Sequence, residues 1–264
     1  MDYQYILIDV KDRIATVTIN RPEYSNAFAR ESYYEIADAM NTLGARDDVG
    51  VIVITGAGKH FSAGGDIKRF KMLVDTKTYL KAEDIEAVSA MPISIRNCPK
   101  PVIAMINGVA TGAGLSCALA CDFRIVEPSS KMIMAFVNMG LCGDNESIYT
   151  LTRLLGPDKA ELMMMTGDAY KGEQCVKTGL ATVLAEDGKL AETTYALAAK
   201  LASKSSTAHA GQKRLIRKYF YGGMENFAKD EGIEMAAASR QPDFTEAVNA
   251  FIEKRMPAYN LPHK

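Results

Sequence analysis

A helix without a polar face can only sit inside a protein, and residues 112–121, GAGLSCALAC, write one behind a glycine turn. Leu115 to Cys121 carries only small or apolar side chains and is read as a helix buried on every side. A β-rich run, Val102 to Ile106, and an Asn107-Gly108 turn precede it, and a second run, Phe123 to Val126, follows. Gly112-Ala113-Gly114 lets a ligand approach the backbone and leaves peptide N–H groups free at the start of the helix. Such a place stabilises negative charge developing on a carbonyl oxygen.

The rest of the chain builds around that point. Tyr5 to Val10 and Ile14 to Ile19 form a hairpin, and an amphipathic helix from Arg30 to Leu43 leads to the strand Val51 to Ile54. Strand, helix and strand at this spacing predict a βαβ unit and a parallel sheet. Another glycine-rich loop, the first in chain order, TGAGKHFSAGGDIKRF from Thr55 to Phe70, precedes a helix that Asp66 is placed to cap; an ordinary βα connection would read the same way. Thr76 to Asn97 reads as helical, with Tyr79, Ile85, Val88, Met91 and Ile95 on one face and a bend at Pro92. Helices are predicted at Ser147–Leu155, Asp158–Met165 and Lys171–Thr178, a last short strand at Ala181–Leu184, and then helices alone, over 189–203, 206–219, 224–238 and 242–254. The class is α/β, divided into a core over 1–189 and a helical region over 190–264 that packs on the core or on a neighbouring subunit.

Composition excludes whole classes of function. With 31 basic and 32 acidic side chains, interspersed, the net charge of −1 gives no general reason to bind nucleic acid or an anionic membrane. No apolar run approaches the roughly 20 residues of a membrane span. The N-terminus, MDYQYILIDVKDR, lacks a signal-peptide pattern, so a cytoplasmic protein is expected. The five cysteines, Cys98, Cys117, Cys121, Cys142 and Cys175, lie mostly in apolar surroundings without a neighbouring histidine and read as buried thiols, not a metal site.

Three histidines, His60, His209 and His263, leave little for acid–base work. Ser116, Asp144 and His209 follow the serine, acid, histidine order of α/β-hydrolases. Alanine at 118, where the nucleophile elbow needs glycine, and the position of Ser116 inside the helix argue against that trio. Asp144 ends a long run of apolar and small residues, and a carboxylate desolvated by them would have the raised pKa of a general base. Asp144 or Asn145 would equally serve as cap for the helix starting near Glu146, and these two readings stand level.

The chain resembles the crotonase superfamily, the enoyl-CoA hydratases and isomerases. The resemblance runs from Asn20-Arg21-Pro22 and Asn26-Ala27 to the tail, and is most specific at FSAGGDIK (61–68), KPVIA (100–104), NGVATGAG (107–114) and Ala120-Cys121-Asp122. It implies a crotonase-like spiral of ββα units with a C-terminal helical region that trimerises, giving a homotrimer or a dimer of trimers. It implies an acyl-CoA substrate and no separate cofactor, coenzyme A being part of that substrate. Carried over by position, the N–H groups of Gly65 and Ala113 hold the thioester oxygen. Ala63, Gly64, Asp66, Ile67 and Lys68 line the coenzyme A, and Arg21, Ser25 and Ala27 lie near its nucleotide end.

Hydratases of the family use two glutamates, and those positions fall here on Ser116 and Phe136, neither a carboxylate. Asp144 falls where the isomerases place their single base. The family's dehalogenases share that Asp but need a histidine and a tryptophan where Ser89 and Phe136 stand, and the chain has no tryptophan. The expectation is an enoyl-CoA isomerase with Asp144 as base, Phe136, Met139 and Leu141 lining the acyl pocket, and Glu146 and Ser116 as secondary candidates. Two alternatives stand beside it: a hydratase or hydrolase of an alicyclic or aromatic-derived acyl-CoA, and a CoA-binding member without catalysis.

Overall fold

A computed structural model describes residues 3–259. In chain order its strands are β1 (Ile6–Lys11), β2 (Ile14–Ile19), β3 (Val51–Gly56), β4 (Val102–Met105), β5 (Val109–Thr111), β6 (Phe123–Val126), β7 (Lys131–Ile133), β8 (Ala169–Lys171) and β9 (Val183–Leu184). The hairpin is present, with Ile6 opposite Ile19 and a two-residue turn in which Asp12 and Arg13 both take positive φ, the twist that suits a right-handed ribbon. β2 pairs parallel with β3 across helix α1 (Arg30–Ala45), so the βαβ unit stands. The sheet runs β1-β2-β3-β4-β6-β9.

β3 shows why its sequence is apolar throughout instead of alternating. Ile52 and Ile54 enter the main core, whereas Val51 and Val53 enter a second cluster on the opposite face, covered by Leu190 and Ala198 of the first tail helix. A sheet packed on both faces leaves the chain no solvent side there.

The short strands β5, β7 and β8 form a separate three-stranded sheet. None was predicted, because three residues are too few to display a period of two. Between β5 and β6 lies α5 (Ala113–Ala120), every residue of which is buried, beginning directly after Gly112 and so earlier than expected.

The stretch from Thr76 to Asn97 departs from expectation. α2 (Ile67–Thr76) ends at Lys77 in the left-handed conformation, and α3 (Ala82–Val88) and α4 (Ala90–Asn97) follow. The break falls at Ser89, not at Pro92, which occupies the first turn of α4, where its missing N–H costs little. Tyr79 lies outside both helices and is exposed.

α6 (Ser147–Leu155), α7 (Pro157–Thr166) and α8 (Gly172–Thr178) match expectation within one or two residues, as do the tail helices α9 (Leu190–Ala202), α10 (Ser206–Tyr219), α11 (Met224–Ala238) and α12 (Pro242–Glu253). The tail folds back on its own core: α9 on the large sheet, α10 on α4, α11 on α3 and α12 on α2. No described helix is long and apolar enough to cross a membrane. His263 lies outside the described residues.

Candidate active site

The two glycine turns meet. Ser62 bridges Ala110 and Phe28 bridges Gly65, while Thr111 N–H donates to Ser62 O at 3.1 Å. Gly64 has a φ of +84°, and a Cβ there would stand 2.7 Å from Thr111 O. A Cβ on Gly114 would stand 2.7 Å from both Cβ and O of Ser62. Only glycine lets the turns come this close. Among the described residues no hydrogen bond uses the Gly65 or Ala113 N–H, which leaves both available to a ligand.

Two asparagines clamp the arrangement. The fully buried Asn26 accepts from Arg21 N–H and donates to Ala57 O at 2.8 Å and His60 O at 2.6 Å. Asn107 accepts from Thr55 Oγ1 and Gly56 N–H and donates to Gly56 O and Gly58 O. The opening half of the first glycine loop, residues 55–60, is therefore held by side-chain amides from elsewhere in the chain.

The positions assigned to coenzyme A gather on one side. Arg21 donates to Ala27 O at 2.6 Å, pairs with Asp66 at 3.1 Å and lies over the Tyr24 ring, which Lys68 also faces at 4.3 Å. Ala63 N–H donates to Ser25 O. Asp66 caps α2 as expected, accepting from Lys68 N–H. Ile67 and Lys68 line an open hollow with Met72 and with Ile252 of α12.

Asp144 lies in the loop between β7 and α6. Its residue is only 8 % exposed, and burial raises its carboxyl to about 6, against the partial opposition of the Asn145 amide, which donates to Oδ1 at 2.6 Å, and of Arg69. Ser116 ties this loop to the second turn by contacting both Asp144 O and Gly112 O at 3.2 Å. Phe136 and Leu141 are buried, Met139 only partly so. A Cβ on Gly112 would lie 4.0 Å from Phe136 Cζ, which sets that ring against the second turn.

The capping reading of Asp144 and Asn145 is not what the structure contains. α6 has no side-chain cap from its own segment, and the residue before it, Glu146, adopts a left-handed φ of 52°. The Glu146 N–H instead donates to Glu231 Oε2 of α11 at 2.7 Å. Glu146 is fully buried, and burial beside Glu231 pushes its pKa up to about 9, against the partial opposition of the Ser89 hydroxyl. Burial, and then the charge of Asp144, push Glu231 in the same direction.

The hydrolase trio is not assembled: Ser116 spends its hydroxyl on backbone carbonyls, and no hydrogen bond joins it to His209 among the described residues. The five cysteines are free, four of them buried. Asn26 and Asn107 entered the sequence reading only as motif and turn residues, without a clamping role, and Glu231 did not enter it. Asn107-Gly108 was legible only as a turn. Glu231 left a signal in hindsight, an acid on the Ala228, Gly232, Met235 stripe that α11 buries.

Comparison with known proteins shows the family. The family model described as enoyl-CoA hydratase/isomerase matches residues 9–261. The chain is 32 % identical over 260 residues to a trans-2-decenoyl-[acyl-carrier-protein] isomerase of Streptococcus mutans, covering 98 % of this chain and 99 % of that one. It is 30 % identical over 257 residues to a 1,2-epoxyphenylacetyl-CoA isomerase of Escherichia coli K12, covering 97 % and 98 %. The crystal structure of an enoyl-CoA hydratase from Mycobacterium avium subsp. paratuberculosis superposes with a TM-score of 0.88 at 26 % identity, covering 98 % of this chain and all of that one.

Proposed function

The chain belongs to the enoyl-CoA hydratase/isomerase family of the crotonase superfamily, and on that premise we propose that it is an isomerase that moves a double bond of an acyl thioester from position 3 to position 2. The observation that carries this reading is Asp144: buried, released from helix capping and tied through Ser116 to the second glycine turn, with Ser116 and Phe136 where a hydratase would need carboxylates.

The ionised Asp144 removes a proton from carbon 2. The C–H electron pair passes into a dienolate whose thioester oxygen accepts hydrogen bonds from Gly65 and Ala113 N–H. The protonated Asp144 returns the same proton at carbon 4, leaving the double bond at carbons 2 and 3 in conjugation with the carbonyl. One base suffices because both carbons lie on one face of a planar dienolate. Phe136 and Leu141, with the partly buried Met139, keep water from the intermediate and disfavour the charged form of the base. Arg21, Ser25, Ala27, Ala63, Gly64, Asp66, Ile67 and Lys68 hold the pantetheine and nucleotide, with no separate cofactor. The exposed apolar residues Leu215, Ile216 and Tyr219 of α10, with Phe220 just after it, support self-association, for which a mass by light scattering above that of the 28.8 kDa chain is the check.

Incubation with 3-hexenoyl-CoA tests the chemistry. Conjugated 2-enoyl product, with no gain of water by mass, is expected from the wild type, and Asp144→Asn is expected to slow it roughly a thousandfold. Hydrated product, or unchanged turnover by Asp144→Asn, would overturn the assignment. Hydration or hydrolysis is the second reading, which Glu146 supports as a second acid close enough to Asp144 for their charges to interact.

A further inference from the structure

The loop carrying Asp144 faces a conflict. α6 needs acceptors for its first N–H groups, and the nearest polar side chains, on Asp144 and Asn145, are the ones that would ordinarily supply them. The molecule meets part of that need from a residue 85 positions away: Glu231 Oε2 takes the Glu146 N–H at 2.7 Å. Asn145 and Glu146 take consecutive left-handed conformations, with φ of 54° and 52°, a strain at Glu146 that its surroundings must hold. Asp144 has the Asn145 amide as its side-chain partner, and its carbonyl accepts from the Ser116 hydroxyl and the Ser147 N–H.

Glu231 is buried, and its other oxygen has no partner among the described residues. It sits where α11 presses on α3: a Cβ on the adjacent Gly232 would stand 2.8 Å from Ala82 O. A charged or acidic group is costly at such a place and needs a reason.

We propose that Glu231 is a positioning residue for catalysis: by capping α6 from the docked tail helix it holds the left-handed Asn145-Glu146 pair and aims Asp144 at the substrate, so the site is complete only when α11 is seated. This rests on the reading of Asp144 as the base. The tail is then part of the active site and not only a scaffold. Because burial holds the Glu231 acid up at about 8, it is largely protonated at neutral pH, and glutamine is its close neutral match as an acceptor.

Steady-state isomerisation of 3-hexenoyl-CoA by the full-length protein tests it. Glu231→Ala is expected to lower kcat about 30- to 100-fold, the scale of a misplaced catalytic group, with KM within threefold. Glu231→Gln is expected to restore kcat to within threefold. On an Asp144→Asn background, Glu231→Ala is expected to cost nothing further. Circular dichroism and the unfolding temperature establish that each variant folds, and Glu231→Met, which fills the volume without an acceptor, replaces Glu231→Ala if the latter does not. A folded Ala or Met variant with wild-type kcat, a Gln variant as slow as Ala, or a loss that persists in full without Asp144 would overturn the positioning role. Full activity of Asp144→Asn alone would overturn the assignment of the base, and the positioning role with it, so the two failures are told apart.

Discussion

The two halves of the site are built by different means. The backbone half, Ser62 to Gly65 against Thr111 to Gly114, is a meeting of glycine turns whose close approach leaves no room for a Cβ at Gly64 or Gly114. The side-chain half, Phe136 to Glu146, is held by contacts that arrive from α5 and from α11, among them the Glu231 acceptor. In the first half the residue types at the site carry the geometry themselves. In the second the residues are ordinary and their placement does the chemistry.

The sharpest way to break that contrast is at Gly114. Its added methyl would meet the backbone O and the Cβ of Ser62 at 2.7 Å, so the two turns must separate. Gly114→Ala is expected to cost about a hundredfold in kcat and roughly 1–3 kcal/mol of stability, read from the same isomerisation assay and from urea unfolding. Gly211→Ala, on α10, where a Cβ would meet nothing nearer than Arg214 at 3.9 Å, is the control and is expected to be neutral or slightly stabilising. Equal losses at both positions would mean that the close approach of the turns is not what matters at Gly114.

The clamp on the first turn comes next in size. Asn26→Ala leaves Ala57 O, His60 O and the Arg21 N–H without their partner in a buried place. A loss of about 3 kcal/mol is expected, near 10 °C in the unfolding temperature, with a smaller loss of kcat than at Gly114. If the variant melts like the wild type, the turn is held by its glycines alone and the clamp is dispensable.

What was legible in the sequence follows the same division. GAGLSCALA and FSAGGD announce a turn and a helix start by their own composition; α2 begins where such residues place it, and α5 begins two residues sooner, directly after Gly112. The tail helices were legible because each is 12 to 15 residues of periodic pattern. The second sheet was not, its strands being too short to show a period, and neither was the helix break at Ser89, which no proline or glycine marks. Asp144 could be found as an acid in apolar surroundings but not told from a helix cap, because the group that decides between them, Glu231, comes from another helix. A contact between residues 146 and 231 has no local signature beyond an acid on an apolar stripe.

The smallest effect separates the placed acid from its placement. In the unfolded chain Glu146 titrates near the ordinary 4.5, whereas in the fold burial and the nearby Glu231 raise it to about 9. The folded protein therefore keeps a proton that the unfolded chain releases once the pH passes 4.5. The fold loses stability steadily from there until the pH reaches about 9, where Glu146 ionises in both states and the penalty becomes constant. Glutamine carries no such penalty. Glu146→Gln is thus expected to unfold like the wild type near pH 4 and to be more stable at pH 8, by an amount on the order of a few kcal/mol, measured as the unfolding temperature against pH. Asp144 follows the same sign over a narrower window, from its ordinary 3.8 to about 6, and the acid limb of kcat/KM is expected near the upper value, where the base gains its charge. If Glu146→Gln is stabilised at pH 8 while its acid limb stays near 6, Glu146 is a costly neighbour of the base and not a participant. If the acid limb moves with Glu146→Gln, the two acids titrate as one group, and the side-chain half of the site works as a cluster instead of a single aimed carboxylate.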